Sequence, residues 1–337
     1  MRLLSLDVLR GIAVLLVIVR HCDAAWGAWL APIRRGGWVG VDLFFVLSGF
    51  LVSGLLFREF EREGSIKPVR FLVRRGWKIY PAFWALIAVM NLGRFDFSRT
   101  LAELAFVQSY VEHRWCEHTW SLAVEEHFYL LLPFFLLTLS KDRFAALPRI
   151  VFAIMAGLLL ARCVNGLRPF SYQTHLFPTH LRLDGLFFGV LLAYWRHSWP
   201  EFNVWGKNNA KGLIALGVVL LIPAFVLNVE MVPALYTYWL TAQTLGCGAI
   251  LTGLVCGGIP ENLFTKGLGK VGTYSYSIYL WHVPVIVVVS PALGFESVWL
   301  IVGCCIGLGA AMSRLIESPF LWLRERMTPA PYTAALA

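Results

Sequence analysis

Arg10 and His21 stand eleven positions apart inside an otherwise lipid-like run that extends from Leu6 towards Trp29. At 100° per residue, eleven positions make three helical turns plus about 20°, so both side chains share one face, about 16 Å apart along the axis. Asp7, Val14 and Val17 or Ile18 fall on the same stripe. Ionisable groups at membrane depth are costly and point into a helix bundle or a wet cavity. The pattern therefore describes a polar track with a cation near its start and an imidazole three turns on. Imidazole is the side chain that exchanges a proton near neutral pH. A plainer role suits the same residues, with Arg10 reaching the interface along its aliphatic stem and His21 bonding a neighbouring helix.

Four other constellations carry chemistry. The second apolar segment opens Gly37-Trp-Val-Gly-Val-Asp42 and continues to Ser48-Gly49, Ser53 and Gly54. Its small residues permit close helix approach, while Asp42, a carboxylate near one end of the span, is expected at the level of His21 and able to orient that ring. Next, Arg74, Arg75 and Lys78 precede Tyr80-Pro81 with no acidic residue among them. Pro81 reads as a helix start, and three cations at a membrane mouth form a phosphate cradle, although topology alone also makes such connections basic. The third block, Thr119-Trp-Ser-Leu-Ala-Val-Glu125-Glu126-His-Phe-Tyr129, buries two carboxylates and a histidine near the start of a span. Adjacent glutamates point about 100° apart. Ser121, Glu125 and Tyr129 form one i, i+4 row, which favours Glu125 over Glu126 as the group facing a site. Finally, Arg182 and Asp184 open one span, His282 lies mid-span two residues before Pro284, and Glu317-Ser-Pro319 closes the last.

The elements that must position these groups are membrane helices. Of 337 residues, 58% are hydrophobic and 15% charged, with a mean hydropathy of +0.67, a composition that an integral membrane protein of many spans requires. The expected fold is an all-α, polytopic helix bundle. About ten spans are expected, near 6–29, 38–57, 79–93, 119–139, 147–164, 181–197, 211–229, 235–257, 274–292 and 297–316, with an interfacial helix over 101–111. The net charge of +9 invites a nucleic-acid partner. The basic residues argue otherwise, because nineteen collect in the connections on one side of the spans and eight on the other. That asymmetry puts both termini in the cytoplasm and excludes nucleic acid in favour of membrane lipids. The seven cysteines show no metal-ligand spacing, so no metal is expected. The first segment is interrupted by Asp7, Arg10, Arg20 and His21, unlike a cleaved signal peptide. One membrane domain is expected over 1–320, with a cytoplasmic tail over 321–337.

Taken in order, these blocks resemble the membrane acyltransferase-3 family, which includes bacterial O-acetyltransferases of cell-surface polysaccharides. The resemblance runs from about Leu6 to Pro319. It is carried by Arg10 and His21, by Gly40-Val-Asp-Leu-Phe-Phe-Val-Leu-Ser-Gly-Phe, and by Arg74-Arg75 through Tyr80-Pro81. The blocks Trp120-Ser-Leu-Ala-Val-Glu-Glu-His-Phe-Tyr and Ser275-Tyr-Ser-Ile-Tyr-Leu-Trp-His follow, then Glu317-Ser-Pro. Lys78 departs from the family's usual arginine. No hydrolase-like C-terminal domain is seen, so this chain is expected to do the whole reaction or to have a helper protein. The resemblance implies transfer from cytoplasmic acyl-CoA, acetyl-CoA foremost, to a hydroxyl of a carbohydrate or glycolipid, by a multi-pass protein of the inner membrane. It implies Arg74, Arg75, Lys78 and Tyr80 as the donor-binding set. His21 is expected as general base with Arg10 on its track and Glu125 or Asp42 to orient it. Direct transfer and an acyl-histidine relay stay open, as does the oligomeric state. The rival class is a secondary transporter with a buried Arg/His/Glu path.

Overall fold

The computed structural model describes residues 3–22, 28–92, 95–111, 116–139, 141–295 and 297–328. Arg2, Arg94, Arg114, the end of the first expected span and the tail beyond Thr328 lie outside them. Among the described residues every regular element is helical. In chain order they are α1 (Leu4–His21), α2 (Ala31–Gly36), α3 (Val39–Glu63), α4 (Pro68–Asn91), α5 (Phe97–Leu104), α6 (Trp120–Thr138), α7 (Leu147–Asn165), α8 (Tyr172–His175) and α9 (Leu183–Ser198). There follow α10 (Phe202–Asn208), α11 (Ala210–Val226), α12 (Pro233–Tyr236), α13 (Tyr238–Gly257), α14 (Leu263–Thr273), α15 (Ser275–Pro284), α16 (Ser290–Ala292), α17 (Val298–Met312) and α18 (Ser318–Met327). Wider π-helical turns follow α15, at Val285–Val289, and α17, at Ser313–Glu317.

Among the described residues six helical stretches are long and apolar enough to cross a membrane, namely Val39–Glu63, Glu117–Thr138, Phe144–Asn165, Tyr238–Gly257, Ser275–Ala292 and Val298–Met327. A seventh is added if α10 and α11, bent by 73°, count as one span. The chain is a multi-pass membrane protein. Three of the ten expected spans fall short of the same measure for physical reasons. Within its 18 residues α1 carries Asp7, Arg10 and Arg20, and α4 carries Arg70, Arg74, Arg75 and Lys78. The 16 residues of α9 reach only about 24 Å, less than a hydrocarbon core of about 30 Å.

Two local expectations change. Pro81 lies inside α4, whose start is Pro68, in the first turn where a missing N–H costs nothing. The three cations therefore ride on a helix rather than a connecting loop. The short amphipathic helix runs over Phe97–Leu104, capped by the Asp96 carboxylate accepting from Arg99 N at 3.1 Å, and its one-turn successor is Gln108–Tyr110.

The chain divides into two compact units. One comprises Met1–Gly40, Val69–Thr119 and Pro260–Ala337; the other comprises Val41–Pro68 and Trp120–Ile259. In the first, α1 lies directly against α14. A Cβ on Gly272 would fall 1.8 Å from the Asp7 carbonyl oxygen, and one on Gly11 would fall 2.4 Å from that of Leu268. A capping box starts α14, with the Asn262 side chain accepting from Thr265 N and Thr265 Oγ1 accepting from Asn262 N. In the second unit α3 crosses α9 with Gly49 against the Leu186 carbonyl. Of Gly49, Ser53 and Gly54, Gly49 makes the close approach, Ser53 bonds back to the Gly49 carbonyl, and Gly54 meets no described atom within 4 Å.

Candidate active site

The first unit brings three histidines together. The last residue of α1, His21, places Nδ1 2.9 Å from the Val17 carbonyl and 3.3 Å from Nε2 of His282 on α15. The two rings meet edge to face, 4.9 Å between centroids. The ring of His118, from the one-turn helix Glu117–Thr119, also packs edge to face on His282, at 5.2 Å. His282 is 0% and His118 3% exposed, whereas His21 keeps open surface. One imidazole of the three can therefore meet a substrate from outside the cluster.

Hydrogen-bond logic fixes which nitrogen that is. His282 Nδ1 faces the Tyr279 carbonyl, which only accepts, so in the neutral ring Nδ1 carries the hydrogen and Nε2 keeps its lone pair. That lone pair and the Val17 carbonyl both face Nδ1 of His21, so the His21 hydrogen is on Nδ1 as well. The basic nitrogen of His21 is then Nε2, the atom directed away from both partners. A second pair of bonds fixes α15. His118 Nε2–H donates to the Leu280 carbonyl at 3.2 Å, and the Tyr279 hydroxyl donates to the His118 carbonyl.

The opposite end of the same unit is cationic. Arg10 stands 3.6 Å from Asp7, and Lys78 lies in the combined field of Arg10, Arg75, Arg324 and Glu317. Arg74 donates to Glu325 at 2.9 Å and to the Thr328 carbonyl, while Arg324 holds the same Glu325 oxygen at 2.6 Å. The Arg75 guanidinium lies 5.7 Å over the Phe71 ring. Glu317 accepts from Ser277, and the Tyr276 hydroxyl donates to the Ile79 carbonyl at 2.7 Å. Tyr80 stacks on Trp84. Thus α1 carries Arg10 into the cation cluster at one end and His21 into the histidine cluster at the other.

The remaining expected site residues belong to the second unit. Glu125 accepts from Ser48 Oγ at 2.7 Å and from Tyr129 OH at 2.9 Å, one bond to each oxygen. Its neighbour Glu126 is buried, and His127 Nδ1 lies 2.8 Å from Thr179 Oγ1. Asp42 pairs with Arg182 at 2.6 Å, both buried. Asp184 pairs instead with Arg162 at 2.8 Å. Arg162 also donates to the carbonyls of Leu181 and Thr237 and to Thr241 Oγ1.

Sequence reasoning missed His118 and Arg324. His118 stands two residues ahead of Trp120 and could have been included with that block; Arg324 was counted only towards topology. Among the described residues no group of three or more His, Cys, Asp or Glu side chains could hold a metal ion.

Comparison with known proteins identifies the family of the chain. The acyltransferase-3 family model, described as an acyltransferase domain, matches residues 3–313. The peptidoglycan O-acetyltransferase OatA of Listeria monocytogenes is 30% identical over 94% of this chain and 55% of its own length. The O-acetyltransferase OatA of Staphylococcus aureus is 31% identical over 85% of this chain and 51% of its own. The chain spans about half the length of the curated relatives it matches. No solved structure matches it. With an acyltransferase model covering nearly all of the helices that carry the histidine and cation clusters, the chain belongs to the acyltransferase-3 family of membrane acyltransferases.

Proposed function

We propose that this protein moves an acyl group, acetyl foremost, from cytoplasmic acyl-CoA to a hydroxyl of a cell-envelope carbohydrate, with peptidoglycan sugars the first acceptor to test. The observation that carries the reading is the dual placement of α1, with Arg10 contributing to the positive field at Lys78 and His21 against His282. Arg75, Lys78 and Arg74, joined by Arg324, would hold the CoA phosphates through charge-assisted bonds, with Tyr80 beside them. The pantetheine arm would follow α1 past Arg10 and present its thioester near Nε2 of His21. The acceptor oxygen would then add to the thioester carbonyl while its proton passes to Nε2. As the tetrahedral species collapses, the C–S bond breaks and the proton leaves with the CoA thiolate. This division of labour fits ten spans with both termini in the cytoplasm of an inner membrane, and one membrane domain over 1–320.

The direct test is His21→Gln in liposomes holding the full chain, supplied with acetyl-CoA and peptidoglycan fragments, with thermal stability measured on the same samples. General-base catalysis contributes about 10²–10⁴ in rate, so kcat should fall at least a hundredfold in a protein that still folds. A well-folded His21→Gln protein retaining more than about a tenth of wild-type kcat refutes the assignment.

A further inference from the structure

We propose that His282 is the positioning residue of this site, orienting His21 and fixing its proton on Nδ1 as a carboxylate does in other base-and-orienter pairs. The inference rests on His21 being the base. Three observations support it. First, the pair is direct, with His282 Nε2 3.3 Å from His21 Nδ1. Second, the ring of His282 has its other nitrogen committed to the Tyr279 carbonyl, so the lone pair offered to His21 is set by the backbone of α15 itself. Third, that backbone is held from outside the helix. His118 bonds the Leu280 carbonyl, the Tyr279 hydroxyl bonds the His118 carbonyl, and the ring of His118 buttresses His282 at 5.2 Å. The carboxylates expected to orient His21 hold other partners, Asp42 with Arg182 and Glu125 with Ser48 and Tyr129.

A neutral orienter has a chemical consequence. When His21 accepts the acceptor's proton at Nε2, the resulting imidazolium keeps its Nδ1–H on a lone pair and a carbonyl dipole, with no full negative charge from this partner. The cation is therefore stabilised less than beside a carboxylate, and it returns its proton to the departing thiolate more readily. The π-helical turn at Val285–Val289 begins three residues beyond His282, in keeping with the frequent occurrence of such turns at functional sites.

Two isoelectronic amides separate this role from a packing role. The glutamine amide reaches about as far as Nε2 of histidine, so His282→Gln can still accept from His21 Nδ1–H. The shorter asparagine reaches only about as far as Nδ1, so His282→Asn cannot. In the acetyl-CoA and peptidoglycan-fragment assay, His282→Gln should keep kcat within about tenfold of wild type. His282→Asn should lose about a hundredfold or more. The KM for acetyl-CoA should stay within twofold for both, because the donor phosphates bind at the other end of α1. Equal activity of the two folded variants, high or low, overturns the proposal. Should neither variant fold, nitrogen NMR of ring-labelled wild-type protein decides. An Nδ1-protonated neutral His21 supports the proposal, and an Nε2-protonated one overturns it. His21→Gln in the same assay tests the base itself, so an active His21→Gln protein identifies failure of the underlying reading rather than of the orienter.

Discussion

Asp42→Leu is the perturbation whose cost can be worked most directly from the structure. Arg182 is 3% and Asp42 4% exposed, and the guanidinium meets Asp42 Oδ1 at 2.6 Å. Two unit charges about 4 Å apart interact by about 4 kcal/mol at an effective dielectric of about 20. Removing one partner of a buried pair typically costs about 3–5 kcal/mol, because the other charge stays buried without it. The Arg182 guanidinium keeps the faces of Trp120 and Phe45, at 5.3 and 5.7 Å, in the variant as in the wild type, so these contacts leave the difference unchanged. The expected loss is therefore about 3–5 kcal/mol. Adding Arg182→Leu removes the stranded charge and should recover most of it, since replacing a whole buried pair by apolar volume is often neutral or better. Unfolding by SDS titration, followed by the fluorescence of the fourteen tryptophans, gives the three free energies, and acyl transfer is measured on the same preparations. A structural Asp42 predicts a double variant that is stable and active; an orienting Asp42 predicts one that is stable and inactive. A loss below about 1 kcal/mol for Asp42→Leu alone, or a double variant no better than the sum of the singles, refutes the ion-pair argument.

Three further outcomes follow from the same geometry. Gly272→Ala should prevent the close approach of α14 to the Asp7 carbonyl and cost at least about 1–3 kcal/mol, whereas Gly267→Ala on the same helix, with nothing within 4 Å, should be neutral or mildly stabilising; equal melting temperatures would contradict the packing. Burial pushes the Glu103 carboxyl up to about 7, against an opposing bond from Thr119. Stability contributed by its neutral form is complete below about 4.5 and lost as pH rises through about 7, by at most about 3 kcal/mol, so Glu103→Gln should flatten the pH–stability curve between those values. Arg75→Ala and Lys78→Ala should each raise the KM for acetyl-CoA about tenfold or more with little change in kcat, from loss of a charge-assisted contact of about 1.5–3 kcal/mol; normal insertion with wild-type KM would remove them from the donor site.

What could be read from the sequence was what depends on helical period. Arg10 and His21 both lie in the helix expected for them, α1, and the i, i+4 row expected for Glu125 and Tyr129 is where their bond forms. Its other donor, Ser48, lies 77 positions away and no spacing rule reaches it. Arg182 and Asp184 looked like a local pair because they are near in sequence. Arg182 precedes the first turn of α9 and Asp184 lies within it, and each finds a distant partner instead, Asp42 for one and Arg162 for the other. Pro81 was misread because proline is compatible with both a helix start and a helix interior, and only the residues packed around α4 distinguish them. His118 carried no periodic signal, being set in a one-turn helix whose importance comes from what it touches.

The close seat of α1 on α14 has a consequence for synthesis. Gly11 and Asp7 emerge from the ribosome more than two hundred residues ahead of their contacts on Leu268 and Gly272. At about 5–20 residues per second, translation leaves α1 waiting on the order of ten to fifty seconds for its partner. During that interval Asp7 must be tolerated in or beside the bilayer without the α14 surface that finally covers it. The surface that completes α1 is made long after α1 itself, and a nascent chain arrested before Leu263 should remain dependent on the insertion machinery.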